Sequence, residues 1–190
     1  MMSESELKIL LEGKGVSTTE WGKDQAKTLK HLLSEIEAGE TVLKSEANGK
    51  LIRHTAFLSI QVFYDLYEDE QDGRKRYKLI EDKQVFTDGR ERSRNQVWSV
   101  AEKLKRNEND IRGAVRRALK EELGVYGEPL FTSEIEVKEE NMISPSYPGL
   151  KARFLTYNLL VFLGQQQFKA EGYKEVQEDK TTYFKWVTVK

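Results

Sequence analysis

The order of patterns along the chain predicts a mixed α/β domain of residues 46–190, preceded by an N-terminal helical extension over residues 1–45. Three observations carry that expectation. Leu51 to Tyr67 alternates as a β-strand does, Asp110 to Leu123 carries an apolar stripe at helical spacing, and three further strand patterns follow that helix. Helix, hairpin, helix and then several strands is not a regular βαβ alternation, so a mixed sheet is expected rather than a doubly wound one.

Each element has its own signal. In the extension, Trp21, Ala26, Leu29, Leu33 and Ile36 recur at helical spacing, which predicts a helix from Thr19 to Ala38 capped by Thr18 or Thr19 and ended by Gly39. In the strand from Leu51, Ile52, Ala56, Leu58, Ile60, Val62, Tyr64 and Leu66 mark one face, against Arg53, Thr55, Ser59, Gln61 and Asp65 on the other. Asp72-Gly73 suits a tight turn that returns the chain along Tyr77 to Ile80. A polar loop, Asp88 to Asn95, precedes a short apolar run, Val97 to Val100. Strands are expected at Leu130–Val137, Ala152–Leu163 and Thr181–Val189. Between the first two, Ser144 to Leu150 holds two of the three prolines and reads equally as a rigid turn or as a lid offering Tyr147 for stacking.

Composition excludes several classes. Lys plus Arg (31) nearly balances Asp plus Glu (32), so the net charge of -1 gives no global reason for a nucleic-acid or membrane surface. Cysteine is absent, which removes disulfides, thiolate zinc sites and cysteine nucleophiles together. His31 and His54 are too far apart in sequence to suggest a His-rich metal site. With no apolar span and no signal peptide, the expected setting is the cytoplasm or a reducing organelle matrix or stroma.

The helix from Asp110 carries the functional argument. Ile111, Ala114, Val115, Ala118, Leu119 and Leu123 fall on one stripe, Asp110 is placed to cap the start, and Gly124 to supply a left-handed stop. Glu122 lies within that stripe, four residues after Ala118, and Glu121 flanks it. A carboxylate on a core-facing stripe needs a cation or an exit to solvent; Arg117 is a natural intrahelical partner for Glu121.

Arg117-Ala118-Leu119-Lys120-Glu121-Glu122-Leu123-Gly124-Val125 resembles the second half of the Nudix box, Arg-Glu-U-x-Glu-Glu-x-Gly-U with U aliphatic, and only the Glu after the Arg is replaced, by Ala118. With one residue inserted, Trp98 to Glu108 is similar to the first half, which places Glu108 at the family's first Glu and Ala101-Glu102 at its glycine pair. The resemblance spans roughly Lys50 to Lys190 and includes the aromatic pair Phe184 and Trp186. It implies a mixed sheet sandwiched by helices, with a loop-helix-loop that holds Mg2+ or Mn2+ against a pyrophosphate. Glu121 and Glu122 would then be metal ligands, Arg117 would orient a carboxylate, and Glu108 would assist water attack on a nucleoside diphosphate derivative. Glu171, Glu175 and Glu178 are candidates for a further, late carboxylate.

Ala118 and the missing glycines leave two functions open: a metal-dependent pyrophosphohydrolase, or an inactive binding module for a nucleotide, an RNA end or a protein partner. Arg90, Arg92 and Arg94 would reach phosphates on such a scaffold, and a solvated loop with local Glu91 pairing is the simpler reading. Trp21 and its helix are expected to cover the sheet or to form a homodimer contact.

Overall fold

The computed structural model describes residues 2–67, 73–93, 98–132 and 134–189. The chain is mixed α/β, and among the described residues no helix is long and apolar enough to cross a membrane. It falls into two compact units: Met1–Phe57, Lys103–Asn109 and Val137–Tyr157 form the first, and Leu58–Glu102, Asp110–Glu136 and Asn158–Lys190 the second. The anticipated extension, residues 1–45, lies within the first unit, which also draws on three later stretches of chain.

The first unit opens with α1 (Glu4–Gly13), which the sequence reading had not anticipated. Ser3 and Glu6 make a reciprocal capping box, and Leu7 and Leu11, one turn apart, are wholly buried. Helix α2 runs only Leu29–Glu37, so the expected helix from Thr19 is corrected. Gly22 (φ 80°) and Asp24 (φ 50°) hold left-handed backbone that no helix accepts, and Thr28 provides the cap. Gly39 ends α2 as expected, with φ 74°. Leu7, Leu11, Leu32, Leu51, Tyr147 and Leu150 pack together as a core.

Strand β1 (Val42–Ser45) pairs antiparallel with the start of β2, whose span, Leu51–Tyr67, is the one expected. Its faces are not. Arg53 and Thr55, assigned to a polar outer face, are each 3% exposed. Arg53 donates to Glu35 at 2.9 Å, and the hydroxyls of Thr55 and Thr41 bond at 2.6 Å, so polar partners cover that face. The 144–150 loop is also corrected: Tyr147 is fully buried beside Trp21, whose Nε1 donates to the Pro148 carbonyl at 2.9 Å. The loop is a structural turn, and Tyr147 is closed to stacking on a ligand.

In the second unit, β3 (Arg74–Phe86) pairs antiparallel with β2. Asp72 of the anticipated turn lies outside the described residues, as do Arg94, Asn95 and Val97. Strand β4 (Glu91–Arg92) pairs with β3, and β5 (Val100–Lys103) with β2. The expected strand 130–137 is two strands, β6 (Leu130–Phe131) in this unit and β7 (Glu136–Ile143), which from Val137 belongs to the first; both pair with β8 (Lys151–Phe162). Strand β9 (Tyr173–Val176), too short to show in the sequence, pairs with β10 (Lys180–Val189). Within this unit the strand order is β6-β8-β2-β3-β10-β9.

Helix α3 (Ile111–Leu123) packs against β9 and buries Ala114, Val115, Ala118, Leu119 and Leu123, the predicted stripe. Gly124 stops it at φ 63°. Asp110 stands at the cap position, but its carboxylate pairs with Arg116 at 3.2 Å and makes no cap bond, which corrects the expected capping role.

Candidate functional site

Of the four residues expected to form the site, Arg117, Glu121 and Glu122 lie on α3 of the second unit. Arg117 and Glu121 form the anticipated intrahelical ion pair at 2.8 Å, and Arg117 also reaches Glu102 at 3.2 Å. Glu108 belongs to the first unit, where its carboxylate accepts from the Lys105 backbone N–H at 3.1 Å. Arg117 thus joins two carboxylates. One of them, Glu102, stands where the Nudix pattern has a glycine.

Glu122 is half-buried at the end of α3 and lines one cavity with Glu175 of β9. Burial pushes its carboxyl up to about 8, and the charges of Glu175, Glu102 and Glu121 push the same way. At neutral pH Glu122 therefore keeps its proton, an arrangement that a cation between the two carboxylates would replace. Gln177 donates to the Glu175 carboxylate. Of the three late candidates, Glu175 lines this cavity with Glu122; Glu178 is exposed, and Glu171 lines a neighbouring cleft with Glu121 and Tyr173, of which Glu175 is also a wall.

Both carboxylates open into a cavity of about 250 Å³ lined also by Trp98 to Ala101, the stretch similar to the first half of the box. Glu81, Gln84, Ser99 and Thr182 line the same cavity, and all four are more than nine-tenths buried. Polar side chains at that depth are held by hydrogen bonds. Ser99 donates to the Leu79 carbonyl at 2.5 Å and accepts from the Val62 N–H at 2.9 Å. Gln84 donates to Glu81 at 3.4 Å and to Thr182 at 3.5 Å.

Strand register explains how they meet. The β3–β10 ladder shifts between Tyr183 and Phe184, leaving Asp82 as an extra residue on β3. A bulge of this kind inverts the alternation, so Glu81 and Gln84, three apart, face the same cavity. The expected return strand, Tyr77 to Ile80, stops short of both. No local sequence signal marks the bulge.

The loop arginines behave differently from the expectation of local Glu91 pairing. Glu91 pairs with Lys83 at 2.8 Å and Arg90 with Asp88 at 2.7 Å, whereas Arg92 turns to the cavity and donates to Gln84 Oε1 from Nη2 (2.7 Å) and Nε (3.2 Å).

Among the described residues no group of three or more His, Asp or Glu side chains is placed to hold a metal ion by itself. Two carboxylates nevertheless fit magnesium, which keeps several waters and takes the rest of its oxygen shell from substrate phosphates. Comparison of the chain with family models and with curated proteins gives no match.

Ala118, where the box pattern has Glu, is 0% exposed on the core side of α3. Ala118→Glu is expected to lower stability by about 2 kcal/mol or more, because the new carboxylate loses water without a partner. Urea unfolding in chelator measures this, and a smaller loss in millimolar Mn2+ would show that the restored side chain reaches a cation.

Proposed function

We propose that the second unit is a Nudix-type module that acts on a nucleoside diphosphate derivative, with Mg2+ or Mn2+ held by Glu122 and Glu175. The single observation that carries this is that Glu122 and Glu175 line one cavity together with Trp98 to Ala101, which joins the box helix, the start of the box and a late carboxylate. The cation would supply charge neutralisation at the pyrophosphate and acidify its bound water. The chain's own part is to place the paired carboxylates, keep the cavity floor polar, and lock Arg117 between Glu102 and Glu121. Relative to the role expected from the sequence, Glu175 joins Glu122 as a proposed ligand, while Glu121 is exposed and engaged with Arg117.

A second reading, recognition of a nucleotide or RNA end without turnover, is favoured by one observation. The position that supplies a box carboxylate is filled by a fully buried Ala118.

The test is a Mg2+ and Mn2+ titration followed by thermal shift and calorimetry, then product release from a panel of nucleoside diphosphate compounds. Cation at a hundredfold excess over Kd stabilises a folded state by about 2.7 kcal/mol. That stabilisation is expected in the native protein and absent in Glu122→Gln and in Glu175→Gln. No cation effect in the native protein would overturn the metal site. A cation effect without product release would establish the binding module.

A further inference from the structure

Four residues that stand directly across from one another on neighbouring strands form a row over the second unit's sheet. Arg92 of β4 pairs with Gln84 of β3, Gln84 with Thr182 of β10, and Thr182 with Glu175 of β9. Directly opposed residues share a face, so a guanidinium, an amide, a hydroxyl and a carboxylate run in line beneath one cavity. Three strand spacings separate the ends, about 14 Å between backbones. Glu175 with Glu122 stands at one end and Arg92 at the other; Lys180, on β10 beside Gln177 at the β9–β10 turn, lines the same cavity.

The two cations that line the cavity leave its carboxylates alone. Among the described residues neither Arg92 nor Lys180 forms an ion pair, although Glu81, Glu122 and Glu175 line the same space. Arg92 is instead held by the nine-tenths-buried Gln84, whose single carbonyl oxygen takes two of its five N–H groups. The rest of the fork stays available, and the Phe86 ring lies 5.5 Å from its centre. An arginine fixed on one edge by a buried amide and left open on the other suits bidentate phosphate recognition. A divalent cation held by the carboxylates would add positive charge and make the cavity more attractive to a phosphate.

We propose that Arg92 and Lys180 are the phosphate-binding residues of this cavity, with Gln84 positioning Arg92, so that the ligand is a pyrophosphate-containing compound bridging these cations and the Glu122–Glu175 end. This rests on the reading of the cavity as a nucleoside diphosphate site, and it adds which residues read the phosphates. Lys180 opens β10 and Arg92 closes β4, so both project from strand ends.

Calorimetry with inorganic pyrophosphate, with and without Mg2+, tests it; adenosine serves as the phosphate-free control. Pyrophosphate is expected to bind the native protein, more tightly with Mg2+. Arg92→Gln and Lys180→Gln should each weaken it about tenfold, the loss of one charge-assisted contact, with the Mg2+ thermal shift unchanged. For Gln84, a double-mutant cycle separates positioning from simple support of the fold. Gln84→Met should weaken pyrophosphate in the native background and add nothing once Arg92 is Gln. Undiminished binding in Arg92→Gln, or no pyrophosphate binding to a native protein that does respond to Mg2+, overturns the inference while the metal site stands. If Mg2+ has no effect but pyrophosphate binding still depends on Arg92, the metal site falls and this inference stands.

Discussion

Glu35→Gln is expected to destabilise the protein by about 3–5 kcal/mol, because it strips the countercharge from a buried cation. Glu35 is 6% exposed and Arg53 is 3% exposed, with 2.9 Å between Nη2 and Oε2. Lys27 at 2.7 Å and Lys103 at 2.9 Å share the other carboxylate oxygen, and Lys103 also reaches Glu40 at 2.7 Å. Burial by itself would push the Glu35 carboxyl upward. Hydrogen bonds from Lys27 and Lys103 and the charge of Arg53 outweigh it and hold Glu35 at about 2, below its ordinary 4.5. A depressed carboxylate contributes stability that is complete above its unfolded-state value and is lost as pH falls through the folded one. The native protein should therefore lose about 3 kcal/mol from this group between roughly pH 5 and pH 2, and Glu35→Gln should lack that component of the slope. Urea unfolding at pH 6, 4 and 3 measures it. Parallel pH profiles for the two proteins would refute the assignment. Lys27→Gln is the internal control: that side chain is 42% exposed, so its removal should cost at most about 1 kcal/mol.

Gly172→Ala is expected to be comparably severe, about 3 kcal/mol or more, and to act on the candidate site. Gly172 has φ 83°, which costs an L-residue about 1–2 kcal/mol. A Cβ there would also lie 2.0 Å from the Phe184 carbonyl oxygen, backbone that has nowhere to retreat within the β9–β10 pair. Relief requires β9 to move off β10, and Glu175 moves with it. Hydrogen exchange should accelerate in Tyr173–Val176 and in the facing part of β10, and any Mg2+-dependent stabilisation should fall. Gly49→Ala separates the two causes. Its φ is 78° with nothing within 4 Å of the added Cβ, so it bears the backbone penalty alone. Equal losses at the two positions would sink the steric argument.

The pattern of the chain determined a good deal by itself. Seventeen residues of alternation set β2 from Leu51 to Tyr67, because a strand's period of two is written locally. The apolar stripe of α3, its Gly124 stop and the Arg117–Glu121 pair were legible for the same reason: each depends on residues within one or two turns. The cap of α1 was also written, as Ser3 and Glu6, and went unread. What tertiary structure decided lies wherever distant segments meet. Arg53 and Tyr147 carry polar atoms that a pattern assigns to the outside, and only Glu35, Trp21 and the Leu7–Leu11 ridge make their burial favourable. The cavity is more extreme. Glu81 and Gln84 share it through a bulge, Arg92 enters through β4, and Glu175 joins Glu122 there on a four-residue strand too short to announce itself. Periodicity records which way a side chain points within its own element; register, bulges and strand order across the sheet decide what it points at.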